Sequence, residues 1–324
     1  MCITFLWANL RGKLDGRLRL ILANNRAELT TRKTSQLKWR HGILASFDES
    51  PVPGRLGGTW LAMDRSGRVA ALMFQQQDRR YVEGLAASAK HGKGHLVIDY
   101  LSQRDRSALE FGQLVQERYK SRTTAFASIL LDVFPQNSSD RHDFVHFTCN
   151  VPQREVMESL PAESDYYVLG ITPRQKPTEH AQEGLRNFES VVQACLLEEE
   201  LEARGKPDKG ATQQRYESLT RDLYDSVLSD RTIYHPDCTL AAQLPDEEEA
   251  YRESVSSVYL PPSEHRTHAT VCQTVILVSG RGEATFSQRK IHHPACPLDG
   301  DSQGHVEGIS FSEEAVTFQI HSRR

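Results

Sequence analysis

The fold of this chain is decided by two apolar runs, Cys-Ile-Thr-Phe-Leu-Trp at residues 2–7 and Leu-Arg-Leu-Ile-Leu-Ala at residues 18–23. Short apolar runs bounded by polar and turn residues are typical of buried β-strands. The second run leads directly into Asn-Asn-Arg-Ala-Glu at residues 24–28. Because strands that follow each other in sequence usually lie side by side, we expect Arg26 to lie near Cys2.

Cys2 becomes the first residue of the chain if Met1 is removed, and it then offers a thiol and a free amine. An α-amino group with a pKa of roughly 7.7–8.0 can accept the proton of that thiol. This is the minimal equipment of an N-terminal nucleophile hydrolase, and the guanidinium of Arg26 would favour the thiolate. Two alternatives stay open: Cys2 is a small core residue, and Arg26 forms an ion pair with Glu28 or another carboxylate.

The strand pattern recurs along the chain. Further strands are predicted at residues 59–63, 68–74, 126–133, 143–148, 272–279, 283–287 and 315–320. We expect the first four strands, up to residue 74, to be neighbours. Ser107 and Glu110 have the spacing of a capping box, which predicts that a helix begins there.

The middle of the chain is predicted to be helical. Apolar residues recur with a period near 3.6 over residues 181–204, and again at Tyr216, Leu219, Leu223 and Val227. We interpret residues 198–262 as a helical and loop excursion within a single domain that spans residues 1–324. Strands followed by helices and then by strands favour an α+β architecture.

The composition narrows the class of protein. A net charge of −4 argues against nucleic acid as a partner. No apolar run approaches the roughly 18 residues of a transmembrane helix, and the N-terminus lacks the pattern of a secretory signal. The six cysteines are scattered without a Cys-x-x-Cys pair, so neither a metal site nor a disulfide framework is indicated. We therefore expect a cytoplasmic protein.

Several short motifs occur in a characteristic order over residues 1–74. The chain begins Met-Cys-Ile, has Asn-Arg-Ala-Glu at residues 25–28, and has Gly-Gly-Thr-Trp-Leu at residues 57–61. In this order it resembles the NRDE-motif proteins, the transport and Golgi organisation protein 2 family. The resemblance implies a four-layer αββα sandwich of the N-terminal nucleophile hydrolase type. It also implies a role in haem trafficking and in Golgi and membrane-traffic homeostasis, with association with the Golgi or mitochondria.

Three positions depart from the pattern of that family. Ala27 stands where the family has Asp, Gly170-Ile171 where it has Ser-Asn, and Val271 where it has Arg. Removal of a single oxyanion donor costs roughly 10²–10³ in rate. We therefore predict a non-catalytic or weakly catalytic carrier, with Ala27 and Ile171 beside Cys2 in its pocket. The alternatives are an N-terminal-cysteine amidase acting on a small amide or acyl substrate, and an adaptor with a vestigial pocket.

The candidate site residues follow from these motifs. Cys2 and Arg26 are the catalytic candidates. The ligand-binding candidates are Asn25, Gly57, Gly58, Thr59 and Trp60. The glycines permit positive φ or a close approach of backbones, and core packing is the alternative role for Trp60.

A separate cluster, His-His-Pro-Ala-Cys-Pro at residues 292–297, offers imidazole and thiolate ligands for haem iron. Cys296 is the first candidate ligand and His293 is the second, and an exposed polar loop is the alternative interpretation. Cys272 lies in a predicted strand and is expected to be a buried apolar residue. We expect no obligatory cofactor, with haem or an acyl-type molecule as cargo. The oligomeric state stays open.

Overall fold

The structure is a computed structural model that describes residues 2–12, 14–49, 57–75, 93–120, 122–135, 143–151, 155–161, 163–203, 209–263, 268–293 and 309–321. Within these ranges, thirteen strands form two antiparallel sheets. The first sheet has, in spatial order, β10 (Glu163–Leu169), β1 (Ile3–Asn9), β2 (Leu18–Leu29), β11 (His268–Ser279), β12 (Glu283–His292) and β13 (Ser310–Gln319). The strand that follows Cys2 is therefore an interior strand.

The second sheet has seven strands in the order of the sequence. They are β3 (Lys38–Arg40), β4 (Ile43–Ala45), β5 (Leu61–Asp64), β6 (Arg68–Phe74), β7 (Phe126–Asp132), β8 (Phe144–Cys149) and β9 (Met157–Ser159). The expectation that the first four predicted strands are neighbours is wrong. β1 pairs with β2, but β5 and β6 belong to the other sheet, because β3 and β4 intervene and β4 pairs with β5.

Helices cover the outer face of each sheet. α1 (His95–Ser102) and α2 (Ala108–Tyr119) pack on the seven-stranded sheet. α3 (Glu179–Ala203) and α4 (Lys209–Asp222), which continues as the π-helix Leu223–Leu228, pack on the six-stranded sheet. The predicted capping box is confirmed, since the Glu110 N–H donates to Ser107 Oγ at 3.2 Å and the Ser107 N–H donates to Glu110 Oε2 at 2.9 Å.

Three apolar cores separate the four layers. Leu6, Leu22 and Ile276 of the first sheet meet Met63 and Ile129 of the second between the sheets. The outer faces are covered by helices; Phe5, for example, stacks on Phe188 of α3 with ring centroids 5.8 Å apart. Both faces of the central strands are therefore buried, which explains why their sequences are almost continuously apolar. The predicted α+β sandwich with αββα layering is confirmed.

The segment interpreted as an excursion largely belongs to the helical layer. Leu219, Leu223 and Val227 are buried in the core beneath α3 and α4. After the π-helix come two short helices, α5 (Cys238–Gln243) and α6 (Glu249–Ser254), and an extended stretch that leads into β11. None of the helices in the described ranges is both long enough and apolar enough to cross a membrane.

Candidate functional site

The register of two strands places the N-terminal cysteine beside the arginine of the motif. β1 and β2 pair with Ile3 opposite Asn25, so Cys2, one residue earlier, lies at the level of Arg26. On the other side of β2, Arg26 is opposite Cys272 of β11. Because side chains alternate along a strand, Leu22 and Arg26 share the face that points between the sheets. Cys2 and Arg26 line one cavity, as the sequence led us to expect.

That cavity has a volume of about 420 Å³, within the roughly 300–1,000 Å³ of small-molecule sites. One part of its wall is mostly apolar and is formed by Trp60, Leu72, Phe74, Tyr251, Val255 and Leu260. The polar part is formed by Arg26, Glu28, Arg32, Asp48, Lys93 and His268. Cys2, Ala27 and Thr59 also line it. The site therefore combines an apolar surface with a cluster of charges.

The guanidinium of Arg26 is held by carboxylates and by an aromatic ring. Its Nη2 donates to Asp48 Oδ1 at 2.7 Å and lies 3.4 Å from Glu28 Oε2. Its Cζ lies 4.0 Å from the centroid of the Trp60 ring, and the side chain is 4% exposed. The ion pair considered from the sequence is thus present, and it coexists with the position of Arg26 on the cavity wall.

Arg32 completes a charge-balanced network on the same wall. It lies 2.9 Å from Asp48 and 3.2 Å from Glu28. His268 Nε2 lies 3.7 Å from Glu28 Oε1. Burial by itself would raise the pKa of Glu28, but the Leu29 N–H and the charges of Arg26, Arg32 and His268 outweigh it, and the pKa lies below its ordinary value. Two guanidinium groups and two carboxylates therefore neutralise each other.

Lys93 is a cavity residue that the sequence did not reveal. Its Nζ donates to Thr124 Oγ1 at 2.6 Å and has longer contacts of 3.4 and 3.5 Å with the carbonyls of Thr124 and Ala125. Burial lowers the pKa of the Lys93 ammonium to about 8, against the opposing effects of Cys149, Cys2 and Glu28. It lies in a Gly-Lys-Gly segment, and only the tertiary contacts of that segment direct it into the cavity.

Two glycines of the Gly-Gly-Thr-Trp motif allow backbones to approach closely. A Cβ on Gly57 would lie 1.5 Å from the carbonyl oxygen of Asp48, and a Cβ on Gly58 would lie 2.5 Å from the carbonyl carbon of Gly94. The Asp48 N–H donates to Gly58 at 2.8 Å, and the Thr59 N–H donates to Gly94 at 3.0 Å. The glycines thereby hold Asp48 and the Lys93 segment in place. They do not themselves line the cavity, whereas Thr59 and Trp60 do.

Asn25 faces the opposite side of the sheet from the cavity, which corrects its assignment as a ligand-binding residue. Its Nδ2 donates to the carbonyls of Leu228 at 2.8 Å and Val258 at 3.0 Å. These bonds fix the end of the π-helix and the approach to β11 on the helical side. Strand alternation explains the difference, because Asn25 and Arg26 are adjacent in one strand and point to opposite faces.

One further expectation about the cavity wall, the position of Ile171, needs correction. Ile171 is buried in a separate cluster with Leu240 and Leu244 and is not a lining residue. Val271 packs against the core between the sheets. Ala27 does line the cavity, so a methyl group occupies the wall where the family motif has a carboxylate.

The predicted haem loop is only partly described. Cys296 lies outside the described residues, whereas His293 donates from Nε2 to the Thr270 carbonyl at 2.7 Å. Cys272 is buried between the sheets as expected, and burial raises its pKa to about 12. Within the described ranges, no group of three His, Cys, Asp or Glu side chains is arranged to hold a metal ion.

The chain is similar to known proteins over most of its length. A solved structure of a Caenorhabditis elegans ortholog of N-acylethanolamine-hydrolyzing acid amidase aligns with 86% of this chain and 93% of its own, at 11% identity and a TM-score of 0.41. Transport and Golgi organization protein 2 of Drosophila melanogaster is 26% identical over 287 residues, which cover 83% of this chain and 90% of the relative. The Mus musculus homolog is 26% identical over 296 residues, which cover 90% of this chain and 93% of that protein. The model of the family described as Transport and Golgi organisation 2 matches residues 1–293, and the chain therefore belongs to that family.

Proposed function

We propose that this chain is a non-catalytic or weakly catalytic member of the family that carries a small molecule in the cavity beside Cys2. The observation behind this proposal is the pairing of an apolar cavity wall with an arginine whose charge is already neutralised. Arg26 is bonded to Asp48 and stacked on Trp60, next to apolar side chains such as Leu72 and Leu260. Such a site favours binding of an apolar body over activation of a nucleophile.

Efficient amide hydrolysis requires a positive charge free to stabilise the thiolate and an acceptor for the N-terminal ammonium. A thiolate nucleophile is favoured by an uncompensated positive charge, whereas Arg26 is shared between Asp48 and Glu28. An ammonium group at the N-terminus needs an acceptor to orient it, and the methyl group of Ala27 accepts no hydrogen bond. Turnover in such a site is therefore slow or absent.

Binding of a neutral environment-sensitive dye such as Nile red tests the carrier role directly. A Leu72→Trp variant fills part of the cavity, because Leu72 is half-buried and lines it. We expect saturable binding by the wild type and at least a tenfold loss in the variant. The matched control is Leu197→Trp, at a residue that is 60% exposed on α3. Absence of saturable binding to the wild type would remove the basis of the proposal.

Haem is the specific cargo that we propose to test. Cys2, His268 and Tyr251 line the cavity and have side chains of types that bind haem iron, and His293 and Cys296 are the candidates from the sequence motif. We expect a protein with His293→Ala and Cys296→Ala together to lose or shift the Soret band of the haem complex. Cys238→Ala, at an exposed cysteine, is the control. An unchanged spectrum and affinity in the double variant rejects the loop as the source of the ligand.

One observation favours the alternative function, an N-terminal-cysteine amidase: Cys2 and Arg26 lie at the same level of adjacent strands and share a cavity. That mechanism requires a free amine on Cys2, and hence removal of Met1. Intact-mass spectrometry decides the first step, because retention of Met1 ends the amidase hypothesis. If Met1 is absent, turnover of a small amide that disappears in Cys2→Ala would favour the amidase over the carrier.

The cellular role that we propose is cytoplasmic, in haem trafficking and membrane-traffic homeostasis, with association with the Golgi or mitochondria. Support comes from membership of the Transport and Golgi organisation 2 family. Imaging of a chain tagged at its C-terminus, against Golgi and mitochondrial markers, tests the location. A tag at the other end would block Cys2. A distribution that overlaps neither marker contradicts the association.

A further inference from the structure

We infer that Lys93 is the anion-binding residue of the cavity and that the ligand is a monoanionic amphiphile, with one carboxylate on an apolar body. This inference rests on the proposed function, since it requires that the cavity binds a small molecule. It names the chemical class of that molecule and a binding residue outside the sequence motifs.

Among the described residues, the ammonium of Lys93 contacts neutral groups. Its contacts are the hydroxyl of Thr124 and the carbonyls of Thr124 and Ala125, all at the beginning of β7. Two aromatic rings flank it, with the centroid of Phe74 at 5.0 Å and that of Phe126 at 5.7 Å. Within the described part of the chain, no carboxylate lies within ion-pair distance of its Nζ. The Lys93 ammonium thus has hydrogen-bond acceptors, but no carboxylate of the described residues neutralises its charge.

The remaining charges of the cavity cancel without Lys93. Arg26 and Arg32 are paired with Asp48 and Glu28 in a single network. With Lys93 protonated and His268 counted as neutral, the described lining has three cations and two carboxylates, which leaves one positive charge in excess at neutral pH. A ligand with one negative charge restores neutrality. A polyphosphate or a dicarboxylate would leave at least one of its own charges without a partner, at the cost of desolvation.

The apolar part of the wall begins beside Lys93. Phe74 contacts the ammonium and lines the cavity together with Trp60, Leu72 and Leu260. A bound molecule with its anion at Lys93 therefore places its body against these side chains. Burial of apolar surface contributes roughly 25 cal/mol per Å², so the body supplies affinity while the anion supplies orientation and selectivity.

The pKa of Lys93 supports a role in anion binding. Burial lowers its pKa to about 8, so at neutral pH most of the protein holds an ammonium that has lost much of its hydration. A carboxylate at hydrogen-bond distance would raise that pKa again. Affinity for a carboxylate ligand should therefore be highest between the carboxyl pKa of the ligand, roughly 4–5, and about pH 8, and should fall above that range as Lys93 loses its proton.

Calorimetric titration with octanoate and with 1-octanol tests the inference, because the two ligands share a chain length and differ in charge. For the wild type at pH 7 we expect octanoate to bind about tenfold or more tightly than octanol. Lys93→Met should lose that preference and bind octanol as well as the wild type does, which also shows that the variant is folded. Lys38→Met, at the exposed residue of β3, should behave as wild type. Octanoate affinity for the wild type should weaken above pH 8, and that pH dependence should be absent in Lys93→Met.

The titrations distinguish failure of the proposed carrier function from failure of Lys93 as the anion-binding residue. If neither ligand binds the wild type, the proposed carrier function fails and this inference fails with it. If both ligands bind equally well, or if Lys93→Met retains the preference for octanoate, the inference is overturned and the carrier function stands.

Discussion

The buried Arg26 and the half-buried Lys93 are two cations on the wall of one cavity, and their charges have opposite surroundings. Arg26 is paired with Asp48 at 2.7 Å and with Glu28 at 3.4 Å, and it stacks on Trp60. Lys93 has hydroxyl and carbonyl partners and two aromatic neighbours. The first cation is part of the framework of the site. The second costs stability and is the one with charge to offer a ligand.

The largest expected effect on stability comes from removing Arg26, the cation paired with carboxylates. Arg26→Met leaves Asp48 and Glu28 with Arg32 as the remaining cation that contacts both of them. We expect a loss of about 3–5 kcal/mol in the free energy of unfolding, measured by chemical denaturation. The control is Arg32→Met, whose side chain is 46% exposed and whose removal should cost less than about 1 kcal/mol. Equal effects of the two variants would mean that burial does not distinguish the two arginines.

Removing Lys93, which has no carboxylate partner among the described residues, should instead raise the free energy of unfolding. Lys93→Met relieves a charge that the folded state accepts only at a cost, and we expect a gain of about 1–3 kcal/mol at pH 7. The unfolded chain holds this proton up to about pH 10.5 and the folded chain only to about pH 8, so the wild type gains stability with rising pH in that window. The advantage of the variant should therefore shrink between pH 8 and 10.5.

The control for this second prediction is Lys38→Met, at the exposed residue of β3, which should change stability by less than about 0.5 kcal/mol at any of these pH values. A destabilised Lys93→Met variant at pH 7 would contradict the comparison, because it would mean that the contacts of Lys93 compensate its charge fully.

Restoring the acidic residue of the family motif at position 27 should add an excess negative charge beside Glu28 and Asp48. Ala27→Asp adds a third carboxylate to a wall that already has Glu28 and Asp48, and we expect a loss of about 1–2 kcal/mol with no gain in amide turnover. Ala27→Asn has nearly the same shape without the charge and should cost less. A large gain in turnover from Ala27→Asp would show that the rest of a hydrolytic site is intact.

The smallest expected effect on stability comes from neutralising Glu28, one of the two carboxylates paired with Arg26 and Arg32. The pKa of Glu28 is depressed in the folded state, so its contribution is present above the ordinary carboxyl range and is lost as pH falls below about 4.5. Glu28→Gln should cost about 1 kcal/mol at pH 7, and the gap to wild type should narrow in acid. Glu49→Gln, at an exposed neighbour of Asp48, should show neither effect. A gap that persists at pH 3 would assign the loss to packing.

Particular residues show how far the sequence could lead to the site. The approach of Cys2 and Arg26 was predictable because strands adjacent in sequence pair, and the register of β1 and β2 places them at one level. Asn25 was misplaced although the alternation of strand side chains already assigns it to the other face. Asp48 and Lys93 could not be found, because each reaches the cavity through loop backbone held against Gly57, Gly58 and Gly94.

The sequence by itself determined the apolar strands, the capped helix at Ser107 and the family, because these depend on local periodicity and short motifs. The four layers followed only from the resemblance to that family. The division of the first four strands between two sheets was decided by tertiary structure, since short strands β3 and β4 give a weak local signal. The charge state of the site was also decided there. Whether a cation is neutralised depends on which carboxylates lie within a few ångströms, and Arg26, Asp48 and Lys93 meet only when distant loops pack together.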